Sequence, residues 1–211
     1  EQIRIGHDPD VEGMATELAA AGVEEIITFA KCHTGFAYYP SKCGNPHPLM
    51  KGDCLGDVVT ACKAKGVDVL AYISFGIDGE AGRRHPEYAQ VRDRAHGPHI
   101  SKDHFVSTCP FTPYIDELML PMIQEVIDGY DVDGFFFDTM GAMGVCHCDY
   151  CEAEYKGRYG KDIPLNADAA DWGQYGAFRR ERAWRVVEQV GKFITDQKPG
   201  FKVGFNWVGT V

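Results

Sequence analysis

Hydrophobic positions along this chain follow two alternating rhythms. Short apolar runs occupy residues 3–6, 25–30, 67–75, 135–137 and 202–205. Such runs predict strands, and the one at 135–137, with no polar alternation, predicts burial on both faces. Between the runs, apolar residues recur at three- and four-residue spacing, which predicts helices. Val11, Met14, Leu18 and Ala21 mark the first, with Asp10 as candidate N-cap and Gly22 as its stop. Leu55, Val58, Val59 and Cys62 mark a second, opened by Asp53 and ended by Gly66. Ile115, Leu118, Met122, Ile123, Val126 and Ile127 mark a third over 113–129, where Pro121 predicts a kink or a late start. A short helix over 152–159 and a long one over 171–198 follow. The long one carries Phe178, Val186, Val187, Val190, Phe193 and Ile194, and Pro199-Gly200 breaks it.

The order is therefore β-α-β-α-β-loop-α-β-α-β, which predicts a parallel sheet. Residues 41–52 read as a loop, residues 105–108 as a short extra strand. The polar stretch 79–104, with its four histidines, reads as a long excursion over the mouth or edge of the sheet. The expectation is one domain over residues 1–211: a (β/α)8 TIM barrel of which this chain carries the first five or so units. An eight-unit barrel takes about 250 residues, so the domain is expected to be cut short at its C-terminal end. A complete, open, doubly wound sheet is the alternative. The chain opens on Glu1, so its start is expected to be trimmed or processed.

Composition narrows the partners. The 211 residues are 45% hydrophobic and 25% charged, with a net charge of −10 and no Lys/Arg run. That argues against nucleic acid and anionic membrane surfaces. No apolar run approaches the roughly 20 residues of a membrane span. Cytoplasmic and exported settings are both compatible with this sequence. Aromatic residues make up 12% of the chain. That content suits a pocket for a sugar and an ordinary core equally well.

In a parallel α/β fold the residues just after the strands share one face, where the chemistry collects. Here those residues are His7 and Asp8, Lys31 and His33, Asp78 and Glu80, Asp138, and Asn206 and Trp207. Imidazoles and carboxylates bind hydroxyls, and aromatic faces cover the C–H surface of a sugar. Taken singly, each has an ordinary structural explanation: Asp138 could cap a helix or pair with a buried Arg.

The segment Lys31-Cys32-His33-Thr34-Gly35-Phe36-Ala37-Tyr38-Tyr39-Pro40-Ser41-Lys42 resembles the Lys-His-His-Asp-Gly-Phe…Pro-Ser-Lys segment of the α-L-fucosidases of glycoside hydrolase family 29. The helix ending Ala64-Lys65-Gly66, the strand after it, and Tyr130-Asp131 through Phe136-Phe137-Asp138 resemble the same family. Cys32 stands where the family has its first His, and Thr34 where it has Asp. The resemblance implies that Asp138 is the nucleophile and that His7 and His33 contact sugar hydroxyls. Lys31, Tyr38, Tyr39, Asp78, Asn206 and Trp207 complete the candidate substrate-binding set. A retaining glycosidase needs a second carboxyl as acid/base. Asp78 and Glu80 are the in-chain candidates, ahead of Glu152 and Glu154; the group could also belong to a later unit of the barrel.

Cys146, Cys148 and Cys151 form a Cys-x-Cys-x-x-Cys turn, and Cys109 lies upstream. Three thiolates in one turn plus a fourth can share a tetrahedral ion. The pattern resembles the structural zinc site of family 42 β-galactosidases. His147 is a substitute ligand, and reduced thiols packing a loop are the alternative. A structural zinc is thus expected, with no cofactor for catalysis. The functional expectation is a retaining glycosidase acting on a terminal fucose- or galactose-like sugar. A non-catalytic carbohydrate-binding barrel is the alternative, with a metal-dependent hydrolase behind it.

Overall fold

The structure, a computed structural model, describes residues 9–98, 105–140 and 145–206. The strand expected at 3–6, His7, Asp8 and Trp207 lie outside the described residues. Helix α1 (Val11–Ala20) opens on Asp10, whose carboxylate accepts from the Gly13 N–H at 2.8 Å. Strand β1 (Glu25–Lys31) follows, then two short strands, β2 (Phe36–Ala37) and β3 (Asn45–Pro46). Helix α2 (Cys54–Ala64) is capped in the same way by Asp53 through Gly56. Then come β4 (Asp68–Ser74), α3 (Gly79–Arg84), α4 (Leu120–Gly129), β5 (Gly134–Asp138), α5 (Asp149–Tyr159), α6 (Trp172–Gln197) and β6 (Lys202–Phe205).

The strands form one sheet in the order β3-β2-β1-β4-β5-β6. The pairs β1–β4, β4–β5 and β5–β6 are parallel. This is a mixed α/β fold built on a parallel sheet. Its core lies on one side. Val69, Ala71, Ile73, Phe135 and Phe137 pack with Leu55, Val59, Met122, Ile123, Val126, Val190 and Ile194 from the helices. Strand residues with the opposite parity face away. Ile27 and Phe29 are 50% and 51% exposed, and Tyr72 and Phe136 are half-buried. Phe29, Tyr72 and Phe136 run across three strands in register, with ring centroids 4.6 Å and 6.1 Å apart. The run at 135–137 is therefore not buried on both faces, as its lack of alternation predicts. Phe135 and Phe137 enter the core, and Phe136 lies on the open face.

Other segments also differ from expectation. The polar stretch after residue 78 is partly regular: Asp78 caps α3 through the Ala81 N–H, and a 3₁₀ turn covers Pro86–Tyr88. Residues 107 and 108 make isolated antiparallel bridges to Ile77 and Ala89 in place of a strand. Before α4 the chain runs as a π-helical turn, Ile115–Met119. Pro121 has no N–H to donate back along the helix, and it sits in the first turn of α4.

The segment after β2 is tied to α4 by one carboxylate. Glu125 accepts from the Tyr39 and Ser41 hydroxyls at 3.1 Å and 2.5 Å, and from the backbone N–H groups of Lys42 and Cys43 at 2.6 Å and 3.1 Å. Burial pushes this carboxyl up, but the hydrogen bonds outweigh burial and hold it below its ordinary 4.5. A depressed folded-state value makes the contribution complete above pH 4.5 and lost as pH falls through the lowered value. Glu125→Ala is expected to destabilise the fold by about 2 kcal/mol at neutral pH. That difference should shrink toward about pH 3. Urea unfolding of both proteins at the two pH values checks it, and a pH-independent difference would contradict the assignment.

Candidate functional site

Asp138 is the last residue of β5, and its side chain emerges on the open face of the sheet. Parallel register pairs Ser74 with Asp138 and Tyr72 with Phe136, so Tyr72 is the diagonal neighbour of Asp138 on one face. The Tyr72 hydroxyl donates to Asp138 Oδ2 at 2.5 Å. Oδ1 accepts from the Thr139 N–H and from Asn206 Nδ2, both at 2.8 Å. Asn206 is held in turn: its N–H donates to Phe137 and its carbonyl accepts from Met140. The carboxylate is thus oriented from β4, from β6 and from its own following peptide.

Thr139 has φ of +61°, a left-handed conformation unusual for a β-branched residue. Its hydroxyl donates to the Asp138 carbonyl at 2.7 Å and accepts from the Gly76 N–H at 2.9 Å. A Cβ on Gly76 would meet the Thr139 carbonyl oxygen at 2.0 Å. Only glycine lets the end of β4 come this close to the turn after Asp138.

His33 stands beside the carboxylate, with Nε2 3.7 Å from Asp138 Oδ2. Its Nδ1 lies 2.5 Å from the Ser74 hydroxyl, and that hydroxyl donates to the Ile77 carbonyl at 2.7 Å. A hydroxyl has one proton. With that proton on Ile77, Ser74 accepts from His33 Nδ1–H, which leaves Nε2 as an acceptor in the neutral ring. Burial lowers the His33 pKa below 6.5, the Asp138 charge opposes this, and Lys31 adds to the lowering.

Lys31 and Asp78 meet in the interior. Lys31 Nζ is 2.8 Å from Asp78 Oδ2, with both side chains 1% exposed. The Tyr114 hydroxyl donates to the same oxygen at 3.0 Å, and Oδ1 caps α3. A register shift between Phe29 and Lys31 sets Lys31 level with Ile73. That bulge turns Lys31 from the open face to the covered one. Gly35, at φ +90°, passes so close that a Cβ would meet Asp78 Oδ1 at 2.1 Å. The Lys31–Asp78 pair therefore fixes the loop that carries His33, and neither charge is open to a ligand.

The remaining candidates separate in the same way. Tyr38 stays half-buried, with its ring 6.1 Å from that of His47 and stacked on it. Tyr39 is 2% exposed and points to Glu125 on α4, away from Asp138. Glu80 is paired with Arg83 and Arg84, Glu152 with Arg94 and His147, and Glu154 with Arg182 and Arg185. Each carboxyl considered as an acid/base is thus held in an ion pair, and none has a contact with Asp138. The structure brings His33, Asp138 and Asn206 together. Tyr72, Ser74 and Thr139 join them.

The four cysteines converge. The sulfurs of Cys109, Cys146, Cys148 and Cys151 lie within 4.8 Å of one another, all buried. Cys109 is 3.5 Å from Cys151 and 3.7 Å from Cys148, and all four thiols are free. A tetrahedral zinc with bonds of about 2.3 Å needs sulfurs about 3.8 Å apart. The donor set therefore fits a metal ion. Hydrogen bonding among the thiols pushes Cys109 well up and holds Cys146 down. His147 does not join the four sulfurs that converge, and its Nδ1 lies 2.7 Å from Glu152. Around the sulfurs, Tyr155, Ile163, Tyr175 and Phe178 form a small core of their own.

The family model for hypothetical glycosyl hydrolase 6 matches residues 10–139. The chain belongs to that family. The α-L-fucosidase isoenzyme 2 from Paenibacillus thiaminolyticus superposes with a TM-score of 0.80 at 31% identity, over 97% of this chain and 30% of that one. A β-galactosidase from Rahnella sp. R3 gives 0.66 at 16% identity, over 97% of this chain and 35% of that one. A hypothetical protein from Ruminiclostridium thermocellum gives 0.61 at 11% identity, over 95% and 92%. The last two are likenesses of fold alone. The chain spans 30% of the length of the fucosidase. No curated protein sequence matches it.

In this glycosyl hydrolase family member, two site residues were within reach of the sequence. Leu70, Tyr72 and Ser74 share the parity of one strand face, and alignment of two strand ends would put Tyr72 and Ser74 beside Asp138. Thr139 carries no such signal, because its role rests on a backbone conformation. Gly76→Ala is expected to destabilise the fold by about 1–3 kcal/mol and to move the turn after Asp138. Thermal unfolding together with a crystal structure checks this; an unperturbed Thr139 carbonyl would contradict it.

Proposed function

We propose that the chain supplies the nucleophile side of a retaining glycosidase site at the C-terminal end of a (β/α)8 barrel. The carrying observation is Asp138, fixed by three donors on the open face with His33 beside it. Helices that pack on one face of a parallel sheet suit a barrel better than a doubly wound sheet, which is covered on both. The uncovered row of Ile27, Phe29, Tyr72 and Phe136 would then look into the barrel interior. Fold likeness to the fucosidase and the β-galactosidase supports the same reading.

In this mechanism Asp138 attacks the anomeric carbon of a terminal fucose- or galactose-like sugar. Oδ1 already accepts two hydrogen bonds, whereas Oδ2 accepts one. Oδ2 therefore keeps a lone pair for attack. His33 Nε2, as an acceptor, takes a hydrogen bond from a sugar hydroxyl. A second carboxyl protonates the leaving oxygen, and water then resolves the glycosyl-enzyme. The ion-paired states of Asp78, Glu80, Glu152 and Glu154 argue for an acid/base outside these four. The cysteine cluster is read as a structural zinc site that fixes the segment after β5. Four thiolates leave no open position on the ion, which argues against metal-dependent hydrolysis.

A carbohydrate-binding barrel without turnover is the second reading, favoured by the same engagement of every carboxyl considered. Asp138→Asn in the full-length protein separates the two. The glycosidase reading expects kcat on aryl fucosides or galactosides to fall at least about a thousandfold with sugar binding retained. A wild-type protein that binds the sugar without hydrolysing any such glycoside would favour the binding reading.

A further inference from the structure

A divalent ion among four thiolates leaves the centre with a net charge of about −2. The four cysteines are buried, and a buried charge without a partner is strongly unfavourable. Arg182, on α6, lies against this centre. Its side chain is 3% exposed, and its Nη1 donates to Cys151 Sγ at 3.1 Å.

The geometry around Arg182 fits a dedicated partner. Its guanidinium lies 3.6 Å from the centroid of the Phe111 ring and 4.9 Å from that of Phe178. These rings fix its plane while one edge reaches the sulfur. Nε is 2.8 Å from Glu154 Oε2, yet its N–H is not aligned for a hydrogen bond and has no other acceptor. Glu154 is shared with Arg185. Two guanidinium groups and one carboxylate leave one positive charge in excess, and Arg182 presents it to Cys151.

We propose that Arg182 compensates the charge of a metal-bound Cys151 thiolate and tunes its donor strength; this rests on the reading of the cysteines as a zinc site. An N–H···S bond draws electron density from the sulfur. It lowers the energy of the sulfur lone pair, makes the thiolate less nucleophilic and offsets part of the negative charge that the ion leaves. Glu154 competes for the same guanidinium, so its charge sets how much of Arg182 the sulfur receives.

The test uses the full-length protein and two substitutions that push in opposite directions. Zinc content is measured by mass spectrometry, zinc retention by competition with a chelator, and thiolate donor strength by the sulfur-to-metal charge-transfer band after cobalt(II) replacement. Arg182→Met is expected to weaken zinc retention about 10–100-fold and to move the band to lower energy. Glu154→Gln, a half-exposed position that should fold even if the first variant does not, is expected to move the band to higher energy without loss of zinc. A band that stays fixed in Glu154→Gln, or wild-type retention with a fixed band in Arg182→Met, would overturn the role of Arg182. A wild-type protein that takes up neither zinc nor cobalt would overturn the zinc reading itself.

Discussion

Register between β4 and β5 is the constraint on which the site depends. The pairing of Ser74 with Asp138 keeps Tyr72, Ser74 and Asp138 on one face of the sheet. Side chains alternate along a strand, so a slip by one residue would carry Asp138 into the core and Phe137 out of it. Phe135 and Phe137 resist that slip because both are fully buried against the helices. The Phe75 N–H donating to the Asp138 carbonyl, and the Thr139 hydroxyl bonded to both Gly76 and Asp138, lock the strand ends at the same register. Hydrophobic burial and the position of one carboxylate are thus the same fact seen from two faces.

Charge is divided between the faces in a related way. On the covered side, the Lys31–Asp78 pair is satisfied by Tyr114 and by the first turn of α3. A buried pair adds little stability by itself, but removing one partner leaves a costly charge behind. The pair is better understood as a clamp that fixes the loop between β1 and β2, and with it His33. At the far end of the open face, Lys202 bridges Glu25 and Asp68. The middle of that face is left to aromatic rings, and the acceptor chemistry gathers at the end that carries Asp138.

Much of this was legible in the amino-acid order because it rests on local patterns. The caps at Asp10 and Asp53, the strands at β1, β4, β5 and β6, and the end of the apolar run at Phe137 follow from periodicity and capping. The turn of three cysteines and the distant Cys109 were also visible as a set. What stayed hidden depends on distant partners or backbone shape. Asp78 looks like a strand-end acid until Lys31, 47 positions away, is turned toward it by a bulge. Tyr39 looks like a pocket aromatic until Glu125, 86 positions away, takes its hydroxyl. Three aromatic residues in a row concealed which one faces the open side, because hydrophobicity alone carries no parity.

In the glycosidase mechanism proposed above, Asp138 forms the covalent bond to the sugar. That bond can be trapped: the full-length protein is incubated with 2-deoxy-2-fluoro glycosyl fluorides of the fucose and galactose series, then digested and mapped by mass spectrometry. The expected result is the fluorosugar on the peptide that contains Asp138, with its release restored by an added acceptor alcohol. A label on a different carboxylate would contradict it.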